Sequence, residues 1–280
     1  KKQIHIPIVA DIHFDYRLAI ESMLSGADKI RINPGNIGGI ENIKEVVKVA
    51  KQFEVPIRIG VNSGSIEKDI LLKYKSPSAE AMVESAIRNV QILEQLDFDN
   101  IVISIKASNV MTSIKAYELI SEKINYPLHV GITESGTLFN GTIKSCVGIG
   151  TILAKGIGDT IRVSLTGDVK EEVRVGIGIL KALGLREGGI ELVSCPTCGR
   201  CKINLIDIAN DVERQINKLN KNLKVAIMGC AVNGPGEAKE ADIGIAGGVQ
   251  EAILFKKGQI IRKIKANDVV SELIKEINMM

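Results

Sequence analysis

From residue 6 to residue 164 the chain alternates short apolar runs with longer stretches of helical periodicity. The runs cover 6–13, 29–33, 56–62, 101–106, 128–134 and 160–164, and stretches such as 78–96 and 110–124 repeat apolar residues every three to four positions. Strands alternating with amphipathic helices predict a parallel sheet. Each run ends in polar residues, where α/β barrels and open α/β sheets build their sites. Six strand–helix units are visible and a closed barrel of this kind has eight. The chain also passes from Lys1-Lys-Gln-Ile-His5 straight into a strand. Either the sheet is open or two units are missing, and the abrupt start favours the second: an α/β fold, a (β/α)8 TIM-type barrel lacking its first two strands in this chain.

After Gly188 the pattern changes. A strand at 190–193, a helix near 205–219, strands at 224–228 and 242–246, a hairpin about Lys256-Lys-Gly258 and a helix from about Asn267 describe a smaller α+β domain. Glycines cluster at 184–189, so the expected domains are 1–186 and 187–280.

Residues two apart on a strand share a face. That pairs Asp11 with His13, Arg31 with Asn33, Arg58 with Asn62 through Gly60, Lys106 with Ser108, and Arg162 with Ser164. Four of the five pairs contain a cation. A buried cation is costly unless it is paired, so four converging on one end of a sheet point to a polyanionic ligand, with Arg suited to two-pronged contact with phosphate. Internal acids such as Asp11 and Glu134 are the competing partners. Glu134, in Gly-Ile-Thr-Glu-Ser-Gly, is either an acid–base group or a counter-ion. His129, early in its strand, reads as a core histidine and Cys146, in a helical stretch, as a core thiol. Gly148-Ile-Gly150 lies inside a helical stretch and lacks the third glycine of a dinucleotide loop.

Composition narrows the function. The 280 residues carry a net charge of +3, with 3% aromatic residues and no Trp. No basic run with interleaved aromatics suggests nucleic acid, and no apolar run has membrane-spanning length. Of five cysteines, four fall within 195–230: Cys195, Cys198 and Cys201 in Ser-Cys-Pro-Thr-Cys-Gly-Arg-Cys, and Cys230 in Gly-Cys-Ala-Val-Asn-Gly-Pro-Gly-Glu. Clustered unpaired thiols suit a reducing cytoplasm and a soft metal, either an iron–sulfur cluster or zinc. A zinc site would need all four of those cysteines, because no His follows residue 129. A phosphate-ligand-binding barrel with a structural zinc module is therefore the alternative to a reductive iron–sulfur enzyme. A simple electron carrier is a third reading, which the polar pairs of the barrel oppose.

Six segments together resemble one family: Ala-Asp-Ile-His-Phe (10–14), Arg-Ile-Asn-Pro-Gly-Asn (31–36), Ile-Arg-Ile-Gly-Val-Asn (57–62), Gly-Ile-Thr-Glu (131–134), Cys-Pro-Thr-Cys (195–198) and the nonapeptide 229–237. The family is that of 4-hydroxy-3-methylbut-2-enyl diphosphate synthase, of the methylerythritol phosphate route to isoprenoids. The resemblance implies a β/α barrel followed by a cluster domain, and a homodimer in which one chain's cluster domain closes the other's barrel. It implies reductive opening of 2-C-methyl-D-erythritol 2,4-cyclodiphosphate with two electrons from ferredoxin or flavodoxin. It implies a [4Fe-4S] cluster on Cys195, Cys198, Cys230 and Glu237, leaving Cys201 a bystander. Diphosphate binding falls to Arg31, Arg58, Lys106 and Ser164, with Arg162, Asn33, Asn62, Asp11 and His13 nearby. The catalytic glutamate maps onto Glu134, and Glu237 is expected to leave one iron open to substrate.

Overall fold

The computed structural model describes residues 3–231, 236 and 238–280. The chain forms two compact units, Lys1–Leu185 and Arg186–Met280. In the first, β1 (Val9–Asp11), β2 (Lys29–Ile32), β3 (Ile57–Asn62) and β4 (Ile101–Lys106) form one parallel sheet in sequence order. β5 (His129–Gly131) and β6 (Thr160–Arg162) form a parallel pair, joined to β4 by the single bridge Ile103–Leu128. Seven helices separate or follow these strands: α1 (Tyr16–Leu24), α2 (Ile40–Gln52), α3 (Lys68–Tyr74), α4 (Ala79–Glu94), α5 (Val110–Ser121), α6 (Leu138–Ala154) and α7 (Val169–Ala182). Asp15, Ser78, Asn109 and Asp168 each cap a helix through the side chain, as such residues do in general, whereas Thr137 ahead of α6 does not.

The strand alternation divides the unit in two. Ile30, Ile32, Ile57, Ile59, Val61, Ile101, Ile103 and Ile105 face the helices and join one core with Ala19, Met23, Val46, Met82, Leu93 and Tyr117. Full burial of such a side chain stabilises by about 1.5–3 kcal/mol, so this row fixes the register. A one-residue slip would move every isoleucine to the other face. The alternate positions of the same strands carry the cations. Aspartates pin strand starts: Asp28 accepts from Ile8 N–H at 2.7 Å and Asp159 from Leu128 N–H at 2.7 Å.

The second unit holds one mixed sheet ordered β11-β10-β9-β8-β7. Its strands are β7 (Ile190–Ser194), β8 (Leu223–Met228), β9 (Ile243–Gly247), β10 (Glu251–Lys256) and β11 (Gln259–Lys265). β7, β8 and β9 are parallel, and β10 and β11 run antiparallel. The hairpin turns at Lys257 (φ 48°) and Gly258 (φ 74°), the left-handed pair favoured by two-residue hairpins. α8 (Leu205–Ile216) and α9 (Val269–Met279) pack on this sheet through Leu205, Val212, Ile216, Val269, Leu273 and Ile277.

Three expectations change, the first being the strand expected at 6–13, which is only Val9–Asp11. The strand expected at 128–134 is three residues long, because its ladder to β4 is reduced to one bridge. Cys146 is an exposed thiol on α6, not a core one. It falls on the helix side opposite buried Gly141, Ser145, Gly148 and Ile152 closely enough to reach solvent.

Candidate active site

The inward positions of β1, β2, β3, β4 and β6 meet around one cavity of about 180 Å³, lined by Asp11, His13, Arg31, Arg58, Asn62, Ser104, Lys106, Thr133 and Arg162. Four cations thus face one carboxylate. Arg31 reaches Asp11 Oδ1 at 2.9 Å, lies 3.4 Å from His13 Nε2 and donates to Gly60 C=O at 3.2 Å. Its guanidinium lies across Gly60, where a Cβ would stand 2.1 Å from Arg31 Nε. Arg162 approaches the other Asp11 oxygen at 3.9 Å.

Arg58 and Lys106 lack that compensation. Arg58 is buried, its Nε–H has no partner, and burial pulls its guanidinium below the ordinary value, with Asp11 opposing and Arg31 and Arg162 adding to the fall. Lys106 is pushed down to about 6, first by burial and then by Arg162, Arg58 and Arg31. Its stem passes over Gly131, where a Cβ would sit 3.2 Å from Cε. Buried cations held near one another without matching acids form a cradle that an anion satisfies.

Other expected residues take different places. Asn33 accepts from Gly35 N–H at 3.1 Å and donates to Ser65 Oγ at 3.1 Å, and it does not line the cavity. Its strand has ended at Ile32, so the alternation that sends Arg31 inward no longer applies. Ser164 is half-buried two residues beyond β6. Glu134 is exposed and holds a left-handed backbone (φ 50°) directly after Thr133 of the cavity wall.

The cavity also contains residues that the reading of strand ends passed over, namely Ser104 and Thr133. Beneath them lie Lys29, lowered by burial and Arg58, and His129, far below its ordinary value through burial and then Lys106. His129 Nδ1 meets Thr160 Oγ1 at 2.8 Å while Nε2 is buried without a partner. The signal was the same period of two: Ser104 precedes Lys106, and Lys29 precedes Arg31, by two residues.

In the second unit, Cys195 follows β7, and Gly229 and Cys230 follow the adjacent β8. Gly229 N–H donates to Cys195 Sγ at 3.2 Å. Gly229 also faces Cys201, whose Sγ lies 2.8 Å from where a Cβ would be, while Cys201 Sγ–H donates to Ile203 C=O at 3.2 Å. Cys198 is exposed, and its thiol is held below its ordinary value, first by the backbone N–H of Arg200.

Comparison with known proteins supplies the relationship. The description "GcpE TIM-barrel domain" matches residues 1–177, and "GcpE protein C-terminal domain" matches residues 191–279. The chain belongs to the GcpE family. Similar relatives include 4-hydroxy-3-methylbut-2-en-1-yl diphosphate synthase (flavodoxin) of Ruminiclostridium cellulolyticum, 66% identical over 280 residues that make up 100% of this chain and 79% of the relative. The proteins of the same name from Caldanaerobacter subterraneus subsp. tengcongensis and Clostridium acetobutylicum are 64% and 61% identical, covering 100% of this chain and 79% and 80% of their own lengths.

For a GcpE protein the thiols are the residues to test against a cluster. Their donor chemistry fits: soft sulfur ligands follow two adjacent parallel strands, and a backbone N–H already points at Cys195 Sγ, the kind of hydrogen bond that tunes cluster sulfurs. Among the described residues no three His, Cys, Asp or Glu side chains gather closely enough to hold a metal ion. Glu237 lies outside the described residues.

Proposed function

We propose that this chain catalyses the reductive ring opening and dehydroxylation of 2-C-methyl-D-erythritol 2,4-cyclodiphosphate to 4-hydroxy-3-methylbut-2-enyl diphosphate, with two electrons from flavodoxin. The observation that carries the reading is the cavity of Arg31, Arg58, Lys106 and Arg162 around a single Asp11. It fits a diphosphate, in a chain 66% identical to a synthase of that name. Arg31 comes to the ligand oriented by Asp11 and Gly60. Arg58 offers an unpartnered N–H, and Lys106 gains its proton back beside phosphate. Asn62 from the end of β3, and Ser164 and Asn33 from beyond their strands, are proposed to complete the binding set, and Glu134 to exchange a proton with the substrate from the rim. Cys195, Cys198, Cys230 and Glu237 are proposed to hold a [4Fe-4S] cluster, which supplies low-potential electrons and a Lewis-acidic iron when bound.

Edge strands β1 and β6 keep exposed residues at both ends, whereas β4 is buried throughout. An apolar groove of about 290 Å³ runs along β6 and α7, lined in part by Ile161, Val163, Val173, Ile177 and Leu180. Both features suit closure of the barrel by two further strand–helix units. A homodimer is proposed in which each cluster domain serves the partner's barrel. A cytoplasmic location suits the free thiols, and among the described residues no helix is long and apolar enough to cross a membrane.

The test is anaerobic purification followed by iron analysis and turnover with reduced flavodoxin. The parent should carry about four irons per chain. Cys230→Ser should lose the cluster and all turnover. Cys201→Ser should keep both, and Glu237→Ala should hold iron less securely and lose most turnover. A colourless zinc protein would end the proposal.

A further inference from the structure

β4 carries Lys106, and its two edges are built differently. Towards β3 the ladder is unbroken for six residues and sets Asn62 opposite Lys106. Towards β5 the strands meet at the bridge Ile103–Leu128, with Ile103 N–H donating to Pro127 C=O at 2.9 Å. In parallel pairing the next rungs from that bridge run from Ile105 N–H to His129 C=O and from Ala107 N–H to Gly131 C=O. Hydroxyls from α5 meet both of these N–H groups, and that of Tyr117 also reaches β5. Ile105 N–H donates to Tyr117 Oη at 3.2 Å, and Tyr117 O–H donates to His129 C=O at 2.6 Å. Ala107 N–H donates to Ser113 Oγ at 3.1 Å, and Ser113 O–H donates back to Ala107 C=O at 3.2 Å. Direct strand contact resumes at Thr133 N–H to Ala107 C=O, 3.3 Å.

Tyr117 and Ser113 are both fully buried. An ordinary ladder would satisfy these backbone groups without them, and burying a hydroxyl is costly unless it is bonded. The two residues these hydroxyls hold, Ile105 and Ala107, flank Lys106 on either side. At Tyr117 an oxygen stands between the N–H of one strand and the C=O of the other, which spreads the strands there. Across that widened seam the Lys106 stem lies over Gly131, with Nζ 3.5 Å from where a Cβ would be.

We propose that Tyr117 and Ser113 are positioning residues that set the Lys106 ammonium in the anion cavity, Tyr117 by holding β4 away from β5 at this one point and Ser113 by fixing the backbone of the next residue, Ala107. The inference rests on the reading that Lys106 binds phosphate, and the two can fail separately.

Pyrophosphate binding to the full chain is measured by calorimetry for the parent, Lys106→Met, Tyr117→Phe, Ser113→Ala and the double variant Lys106→Met/Tyr117→Phe, with thermal melts to confirm folding. Lys106→Met should weaken binding about 100-fold, and Tyr117→Phe or Ser113→Ala about tenfold. In the Lys106→Met background Tyr117→Phe should cost less than about twofold, because residues acting through one group are not additive. Lys106 is faced by Arg31, Arg58, Arg162, Asp11 and, from β5, His129. The pH dependence of affinity that Lys106→Met removes should be reduced in Tyr117→Phe as well, which a general loosening of the fold would leave in place. Parent-like affinity in both Tyr117→Phe and Ser113→Ala, with Lys106→Met impaired, overturns the positioning role. So does a tenfold effect of Tyr117→Phe that persists without Lys106. Parent-like affinity in Lys106→Met overturns the phosphate reading and the positioning role with it. Should Tyr117→Phe fail to fold, Ser113→Ala and its own double variant decide by the same criteria.

Discussion

Both units build their chemistry at the carboxyl ends of parallel strands, and they do it in opposite ways. In the first, the functional groups are buried and held before any ligand arrives: Arg31 by Asp11 and Gly60, Lys106 over Gly131. In the second, Cys198 is exposed, and Cys195 and Cys230 are half-buried. There the fixed point is the backbone, with Gly229 touching both Cys195 and Cys201. Cations that repel one another must be imposed by the fold, which stabilises itself elsewhere through the isoleucine face. Thiols that share a metal can be drawn together by binding itself. On the proposed reading, ligand specificity in the first unit is therefore a property of the empty protein.

The largest expected effect exploits that contrast. Arg58→Met removes the buried, unpartnered guanidinium. Losing one charge-assisted contact of this kind should weaken pyrophosphate binding by about 100-fold or more. The ligand-free protein should melt about 2–4 °C higher, since a buried cation is exchanged for an apolar side chain of similar length. Iron content should stay at the parent level. Calorimetry, a thermal melt and iron analysis check the three. A variant that binds as the parent does, or melts lower, would place the strain elsewhere.

How much of this was legible in the sequence follows the same contrast. Period two in the strands located Asp11, Arg31, Arg58, Asn62, Lys106 and Arg162 on one face, because the isoleucines between them allow only one register. The signal faded where the chain leaves the strand. Asn33 has the right parity but caps the turn at Pro34–Asn36. Ser104 and Thr133 had the right parity, yet small hydroxyl residues in apolar runs do not announce a ligand. Tyr117 could not be read at all. A tyrosine on the core face of a helix looks like packing, and only the interrupted ladder gives its hydroxyl a purpose. In the second unit, spacing marked the thiols, but not that Gly229 would lie between Cys195 and Cys201.

A pair of glycine substitutions should sharpen the comparison at intermediate size. Gly60→Ala puts a methyl 2.1 Å from Arg31 Nε, so the guanidinium must leave Asp11. Pyrophosphate binding should fall about tenfold with iron content unchanged. Gly229→Ala puts a methyl 2.8 Å from Cys201 Sγ. Iron content should fall while pyrophosphate affinity holds. Crossed effects, with Gly60→Ala losing iron or Gly229→Ala losing pyrophosphate, would mean that the two sites are not independent.

The smallest expected effect is graded by pH and belongs to Lys106 alone. Its folded pKa of about 6 lies below the ordinary lysine value because of burial and then Arg162, Arg58 and Arg31. Between those two values the folded chain holds fewer protons than the unfolded chain, so the contribution of Lys106 to stability rises with pH across that window. Ligand binding runs the other way. Near pH 7.5 the free amine is mostly neutral, and a bound phosphate restores the ammonium. Binding therefore takes up a proton, and affinity falls as pH rises above about 6, with a limiting slope of about tenfold per pH unit for one proton. Below that value Lys106 is already charged and its part of the dependence levels off. Calorimetry in two buffers of different ionisation enthalpy reads the proton uptake directly, and Lys106→Met corrects for the titration of pyrophosphate itself. The parent should take up more protons than Lys106→Met. Equal uptake at pH 7.5 would mean that Lys106 keeps one protonation state in the free and bound protein, so that the phosphate does not restore its ammonium.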